Sequence, residues 1–145
     1  MAVQKRFEFL EITGDVYVAA YGEDLAEAFE NAAAAMFETM TNIVDISPNV
    51  EDAVEVSGQD EEALLYNWLE ALLVKFDVKE MLYSKFRIES LGKTVKGFGL
   101  IARIWGERFD PSKHVQKVGV KAVTYHQMEI IRQPEMVAVK FVLDI

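Results

Sequence analysis

The sequence contains no cysteine, which excludes disulfide bonds, thiolate chemistry and a cysteine-based zinc site. This composition fits a reducing compartment. No segment approaches the roughly 20 apolar residues that a membrane-crossing helix needs. Near the start, Lys5 and Arg6 are not followed by the continuous apolar stretch of a secretory signal. We therefore predict a soluble, cytoplasmic protein with no membrane association.

Basic residues are also scarce, with 15 Lys and Arg against 24 Asp and Glu and a net charge of −9. Nucleic-acid affinity rests largely on Lys and Arg side chains that neutralise phosphates. The charge balance therefore predicts little direct binding of nucleic acid. An acidic surface is better suited to a divalent cation, or to a basic surface on another protein.

The overall composition is that of a folded chain. Hydrophobic residues make up 51% of the sequence and charged residues 27%, which indicates a packed core rather than disorder. A length of 145 residues corresponds to one domain, since domains typically contain roughly 100–200 residues. We predict a single domain over residues 1–145.

Two segments have the apolar spacing of amphipathic helices. Leu25–Met40 carries apolar side chains three and four positions apart, and Asp24 precedes it as an N-cap. Residues 60–76 repeat the pattern, with Asp60 as the cap and two glutamates near the positive end of the helix dipole. Both segments are predicted to be helices.

The remaining apolar residues alternate with polar ones, as they do in strands. The predicted strands cover residues 7–12, 15–21, 54–56, 83–90, 96–105, 118–131 and 136–143, with a turn at Gly92 and a loop at 106–117. These elements predict the α+β class, with two main helices packed on a mixed or antiparallel β-sheet. The last strand has no polar tail after it, so we expect contacts that hold Asp144 and Ile145.

The usual catalytic signatures are missing: there is no phosphate-binding glycine loop, two-histidine metal motif or nucleophile elbow. His114 is predicted to be a surface residue of the polar loop, and His126 to be partly packed in a strand. From spacing alone, Asp15 and Asp144 are solvated acids more often than metal ligands.

Several segments, in order, resemble the archease family. They are Thr13-Gly14-Asp15, the helical segments at 26–33 and 61–73, Trp105-Gly106-Glu107, the stretch 121–126 (KAVTYH) and the terminal Leu143-Asp144-Ile145. The resemblance spans essentially the whole chain. One departure is Ile12 where the family often has a histidine, and another is Gly14 in place of alanine, but the carboxylate of Asp15 is kept.

The resemblance implies a metal site made by Asp15, Asp144 and the terminal oxygen atoms of Ile145. All of these donors are oxygen atoms, which suits Ca²⁺ or Mg²⁺. Glu107 and Lys121 fall in matched segments, and we expect them near a partner-facing surface around the metal. An alternative is that Glu107 is only a solvated loop acid and Lys121 only a lysine at a sheet edge.

The function implied by the resemblance is that of an accessory protein, not an enzyme. It would activate a GTP-dependent tRNA-splicing RNA ligase by promoting the ligase-guanylate intermediate and multiple turnover, through cation delivery or remodelling of the ligase pocket. One alternative is a chaperone-like modulator of a tRNA-modifying enzyme such as a tRNA methyltransferase. Another is a small metal-dependent hydrolase that uses Asp15, Asp144 and Glu107, against which the missing base–nucleophile pair argues.

Overall fold

The computed structural model describes residues 5–145, which form seven β-strands and two α-helices. In chain order these are β1 (Phe7–Leu10), β2 (Val16–Gly22), α1 (Leu25–Met40), β3 (Val50–Gly58), α2 (Glu61–Lys79), β4 (Met81–Thr94), β5 (Gly97–Arg108), β6 (Ala122–Gln133) and β7 (Met136–Asp144). A short 3-10 helix at Ile43–Asp45 follows α1. No helix within these described residues is long and apolar enough to cross a membrane.

Helix α1 has the bounds predicted from its apolar spacing. The Asp24 carboxylate accepts the Glu27 N–H at 2.8 Å, so the predicted cap satisfies a free donor at the helix start. The helix is buried on most of its surface, including the alanine run 32–35. Small side chains at these positions let neighbouring elements approach closely on several sides.

Helix α2 begins as predicted, with the Asp60 carboxylate accepting the Ala63 N–H at 2.7 Å. It continues to Lys79, three residues beyond the predicted end. The residue after it, Glu80, adopts the left-handed conformation (φ 57°) that usually falls to glycine. The sequence therefore has no glycine to mark the end of this helix.

The strands form two antiparallel sheets rather than one sheet. The four-stranded sheet has the order β1-β2-β7-β6, and the three-stranded sheet has the order β3-β5-β4. Each helix contacts both sheets: α1 packs on β2, β7 and β4, and α2 packs on β6, β3 and β5. The buried side chains between these layers make the hydrophobic core. The α+β class and the two main helices are confirmed.

Some strand bounds differ from the prediction. Gly92 lies inside β4, and the chain turns at residues 95–96 instead. Strand β3 covers Val50–Gly58 and is longer at both ends than the strand predicted at 54–56. Strand β6 begins at Ala122, so residues 109–121 form one long loop, here called the 109–121 loop.

Candidate functional site

The two aspartates of the predicted metal site lie at the same end of the four-stranded sheet. Strands β2 and β7 are antiparallel, with Val16 opposite Leu143 as the last pair of the ladder. Asp15 comes immediately before Val16 and Asp144 immediately after Leu143. Since Val16 and Leu143 are paired, the residues next to them, Asp15 and Asp144, lie side by side at this end of the sheet. They are 129 positions apart in the sequence, from 15 to 144.

Two other predicted residues lie at this end. Asp144 is opposite Ala122 on β6, and the Lys121 N–H donates to the Asp144 carbonyl oxygen at 2.7 Å. Ile145 follows directly. The contacts expected around Asp144 are therefore present, and Lys121 is an exposed residue beside them. Lys121 itself precedes β6 rather than lying within it.

Among the residues that the structure describes, the side chains of Asp15 and Asp144 have no partner. Within residues 5–145, no hydrogen bond or ion pair engages either side chain. Both residues are half-buried. Free lone pairs on neighbouring carboxylates fit a hard divalent cation, with water completing its coordination.

The donor set is small. No group of three or more His, Cys, Asp or Glu side chains in the described part of the chain is arranged to hold a metal ion. Two such side chains, Asp15 and Asp144, are available here. The third predicted donor, Ile145, follows Asp144 directly. The carboxylate oxygens suit a hard cation in donor type, and two carboxylate side chains leave the other coordination positions to further oxygen atoms or water.

A cavity of about 330 Å³ lies beside Asp15. Its lining includes Glu38 and Lys117, whose side chains form an ion pair with an Nζ–Oε2 distance of 2.6 Å. The Lys117 N–H also donates to the Met40 carbonyl oxygen at 2.9 Å. The 109–121 loop is thereby fastened to the end of α1, next to Asp15. No local sequence pattern indicates this pair, because its members are 79 positions apart.

Glu107 has a different environment from the aspartates. One oxygen of its carboxylate, Oε2, accepts the Ser47 N–H at 2.8 Å and the Lys113 ammonium at 2.6 Å, and lies 2.9 Å from Nε2 of His114. The side chain is 17% exposed. It joins the end of β5 to the segment after α1 and to the 109–121 loop. Its predicted role toward a partner stays a prediction, but its structural role is evident.

These contacts set the charge state of Glu107. Burial by itself would raise the pKa of the carboxyl. The hydrogen bonds from Lys113, the Ser47 N–H and His114 outweigh burial and hold the pKa at about 2. Glu107 is therefore ionised throughout the neutral range and is not a proton donor or acceptor there.

The two histidines have the reverse of their predicted environments. His114 was predicted at the surface but is 1% exposed. The Asp110 N–H donates to its Nδ1 at 2.9 Å, so the proton of the neutral ring is on Nε2, which donates to Glu107. His126 was predicted to be partly packed but is exposed. It lies where the pairing of β6 with β7 shifts, beside Gln127 at φ 54°.

These features define a class of protein: a small α+β domain of two antiparallel sheets, with two aspartates at one end of the four-stranded sheet. The sequence matches the model of the Archease protein family (MTH1598/TM1083) over residues 7–145. The chain belongs to the archease family.

Relatives from several archaea support this membership. Protein archease of Sulfurisphaera tokodaii is 45% identical over 143 residues, covering 97% of this chain and 99% of that protein. Protein archease of Pyrococcus abyssi is 43% identical over 131 residues, covering 90% and 92%.

Solved structures agree on the fold. The solution structure of Methanobacterium thermoautotrophicum protein 1598 has a TM-score of 0.84 and 38% identity, covering 97% of this chain and 99% of that one. A crystal structure from Thermotoga maritima, described as an archease and possible chaperone, has a TM-score of 0.57 and 18% identity, covering 94% of each chain. At that identity the second similarity supports the fold alone.

Proposed function

We propose that this protein is a metal-binding accessory factor of a GTP-dependent tRNA-splicing RNA ligase. In this role it promotes formation of the ligase-guanylate intermediate and lets the ligase turn over repeatedly, and it catalyses no reaction itself. The observation that carries the proposal is the placement of Asp15, Asp144 and Lys121 at one end of a sheet, with no hydrogen bond or ion pair to either aspartate side chain within residues 5–145. A cytoplasmic location follows from the proposed partner.

Asp15, Asp144 and the terminal carboxylate of Ile145 are proposed to hold a divalent cation, Ca²⁺ or Mg²⁺. When bound, such a cation supplies positive charge for phosphate oxygens. The protein's own residues fix its position: the β2–β7 register sets the spacing of the aspartates, and the Lys121 N–H holds the Asp144 main chain. The ammonium of the exposed Lys121 is available to an anionic group of the partner.

The proposed partner is the ligase protein rather than its RNA. With 24 acidic and 15 basic residues, the chain offers little net attraction to phosphates. A gel shift with tRNA alone should show only weak binding. Tight binding of tRNA at physiological salt, in the absence of the ligase, would contradict this part of the proposal.

The test is a multiple-turnover ligation assay with the ligase, with and without this protein. Asp15→Ala, Asp144→Ala and a short Gly-Ser extension after Ile145 should each reduce stimulation and weaken Ca²⁺ or Mg²⁺ binding in calorimetry. Asp77→Ala is the matched control, because it removes the same charge from an exposed position of α2. Full stimulation by all three altered proteins would refute the metal site.

A chaperone-like role toward a tRNA-modifying enzyme, such as a tRNA methyltransferase, is the second candidate. The resemblance to the archease family raises it as the alternative to the ligase. A pull-down from the native host separates the two candidates. Recovery of the methyltransferase without the ligase would favour the chaperone-like role.

A further inference from the structure

Strand β6 contains an irregular segment that carries an aromatic side chain at the surface. The pairing with β7 shifts between Thr124 and Glu129, so residues 125–128, here called the β6 bulge, lie opposite a single residue of β7. Gln127, within this bulge, has φ 54°, a conformation that residues other than glycine adopt only at a cost. Tyr125, the first residue of the bulge, is 55% exposed. The bulge therefore holds a large ring in contact with solvent.

The ring of Tyr125 is stacked on the ring of Tyr66, which belongs to α2. The two ring centroids are 4.4 Å apart and the ring planes differ by only 2°. Stacking covers one face of the Tyr125 ring and leaves the other face open. Within residues 5–145, no Lys or Arg side chain lies over either ring. The negative face of an open aromatic ring attracts a cation.

Acidic residues surround this aromatic pair. Glu70 lies one helical turn after Tyr66 on α2, and Asp60 caps the start of the same helix. Partial burial raises the pKa of the Tyr125 phenol, and the neighbouring Tyr66, Asp60 and Glu70 raise it further. In the described part of the chain, the Glu70 carboxylate has no hydrogen bond or ion pair. The pair of rings therefore lies in a negative field, which attracts cations and repels phosphates.

The start of α2 already binds one arginine of this chain. The two terminal nitrogen atoms of Arg132, in β6, each donate to one carboxylate oxygen of Glu61. The planar guanidinium matches a carboxylate in this way, and it also stacks on aromatic rings. Glu61 and Arg132 thus show how α2 binds a guanidinium. Glu70 offers a carboxylate of the same kind without such a partner.

The aromatic pair lies within reach of the proposed metal site. Asp144 is opposite Ala122, the first residue of β6, and Tyr125 is three residues further along that strand. At a rise of about 3.3 Å per residue, Tyr125 is about 10 Å from the end of the sheet that carries Asp144. One protein interface of ordinary size covers both.

We propose that Tyr125, supported by Tyr66 and Glu70, is a docking site for one arginine side chain of the partner protein. The guanidinium lies flat on the open face of Tyr125 and pairs with the Glu70 carboxylate. Arginine is favoured over lysine, because its planar group is more weakly hydrated and makes both contacts at once. A nucleotide is disfavoured, because a base stacked on Tyr125 would bring its phosphates near the acidic residues. That the partner is the ligase rests on the proposed function.

The first test needs no ligase. The ring resonances of Tyr66 and Tyr125 are followed by NMR during titration with acetyl-arginine amide, and separately with acetyl-citrulline amide, which has the same shape but no charge. Wild type should bind the arginine amide at least about threefold more tightly than the citrulline amide. Glu70→Gln should reduce this preference. Equal binding of the two amides by wild type, or no shift of either ring, would overturn the proposal.

The second test measures affinity for the ligase. Tyr125→Leu should weaken it by about fivefold to tenfold, whereas Tyr125→Phe, which keeps the ring, should retain most of the affinity. Glu70→Gln should weaken it by about threefold at low salt and by less at high salt. Glu55→Gln is the matched control, because it removes the same charge from an exposed position of β3, on the other sheet. Melting temperatures of all variants separate loss of binding from loss of folding.

The outcomes of the second test distinguish this site from the proposed function. Unchanged ligase affinity of the folded Tyr125→Leu protein would overturn the arginine site and leave the proposed function intact. Loss of tRNA binding, or of self-association, in place of ligase binding would also overturn it and assign Tyr125 to RNA or to a second copy of the chain. Failure of wild type itself to bind the ligase would refute the proposed function, and the amide titration then decides the arginine site by itself.

Discussion

Gly14-Asp15 and Gly106-Glu107 each place an acidic residue directly after a glycine, the first just before β2 and the second near the end of β5. A Cβ atom added to Gly106 would lie 1.8 Å from the Leu82 carbonyl oxygen, whereas one added to Gly14 would meet nothing within 4 Å. Glu107 then has three partners on one oxygen, and Asp15 has none in the described structure. The comparison separates an acid that stabilises the fold from one whose carboxylate is free to bind something else.

The largest effect should come from Gly106→Ala. The added methyl would collide with main-chain atoms of β4, which cannot move without disturbing the β4–β5 pairing. We expect a loss of about 3 kcal/mol or more in the free energy of unfolding. Urea denaturation measures it, and Gly119→Ala is the control, because its Cβ has open space. A loss below about 1 kcal/mol would mean that the main chain of β4 can move away from residue 106 at little cost.

Glu107→Gln should have the next largest effect. It keeps the shape of the side chain but removes the charge that the Lys113 ammonium and His114 contact. We expect a loss of about 1.5–3 kcal/mol, the range for hydrogen bonds to charged groups. The control is Glu51→Gln, where a side chain 48% exposed pairs with Arg103 and should lose at most about 1 kcal/mol. Equal losses would remove the distinction between the two sites.

The contribution of Glu107 should depend on pH in a defined direction. Its pKa in the folded protein is about 2, below its ordinary value of 4.5. A lowered pKa gives stability that is fully present above pH 4.5 and is lost as the pH falls toward 2. The difference in unfolding free energy between wild type and Glu107→Gln should therefore be larger at pH 6 than at pH 3. Other carboxyl groups are common to both proteins, so a difference that does not change with pH would contradict the assignment.

Local signals in the sequence predicted much of the fold. The two aspartate caps and the apolar spacing located both helix starts, because capping and amphipathicity act within a few residues. The end of α2 was missed since its cap is Glu80 rather than a glycine. The turn after β4 was misplaced because Gly92 lies inside the strand. Two sheets in place of one could not be predicted, because alternation shows which residues share a face but not which strands pair.

The site was predicted less completely than the fold. Resemblance to a family supplied Asp15, Asp144 and Lys121, and the strand register brings them together. The buried position of His114 was missed, because a polar loop carries no sign that Glu107 and the Asp110 N–H will enclose the ring. Such pairings depend on tertiary structure. For the same reason, neither the Glu38–Lys117 ion pair nor the stacking of Tyr125 on Tyr66 could be foreseen.

Gly14→Ala tests the other glycine. Gly14 has φ +87°, a conformation that L-residues adopt only at a cost, although the space for a methyl group is open. We expect a loss of about 1–2 kcal/mol. Gly14→Asn should lose less, because asparagine tolerates positive φ better than alanine does. If both variants lost as much stability as Gly106→Ala, the two glycines would not differ in the way proposed.

Asp15→Asn and Asp144→Asn should have the smallest effect on stability in buffer without divalent cations. Neither carboxylate has a partner in the described part of the chain, so its neutralisation should change the free energy of unfolding by less than about 0.5 kcal/mol. Added Ca²⁺ or Mg²⁺ should raise the melting temperature of wild type, since a ligand that binds only the folded state stabilises it by mass action. Neither variant should respond as strongly.

Urea denaturation with a chelator and thermal melting with added cation measure the two parts. If the aspartate variants lost as much stability as Glu107→Gln without cations, the free-carboxylate description would be wrong. If wild type and variants responded equally to cations, the bound ion would lie elsewhere.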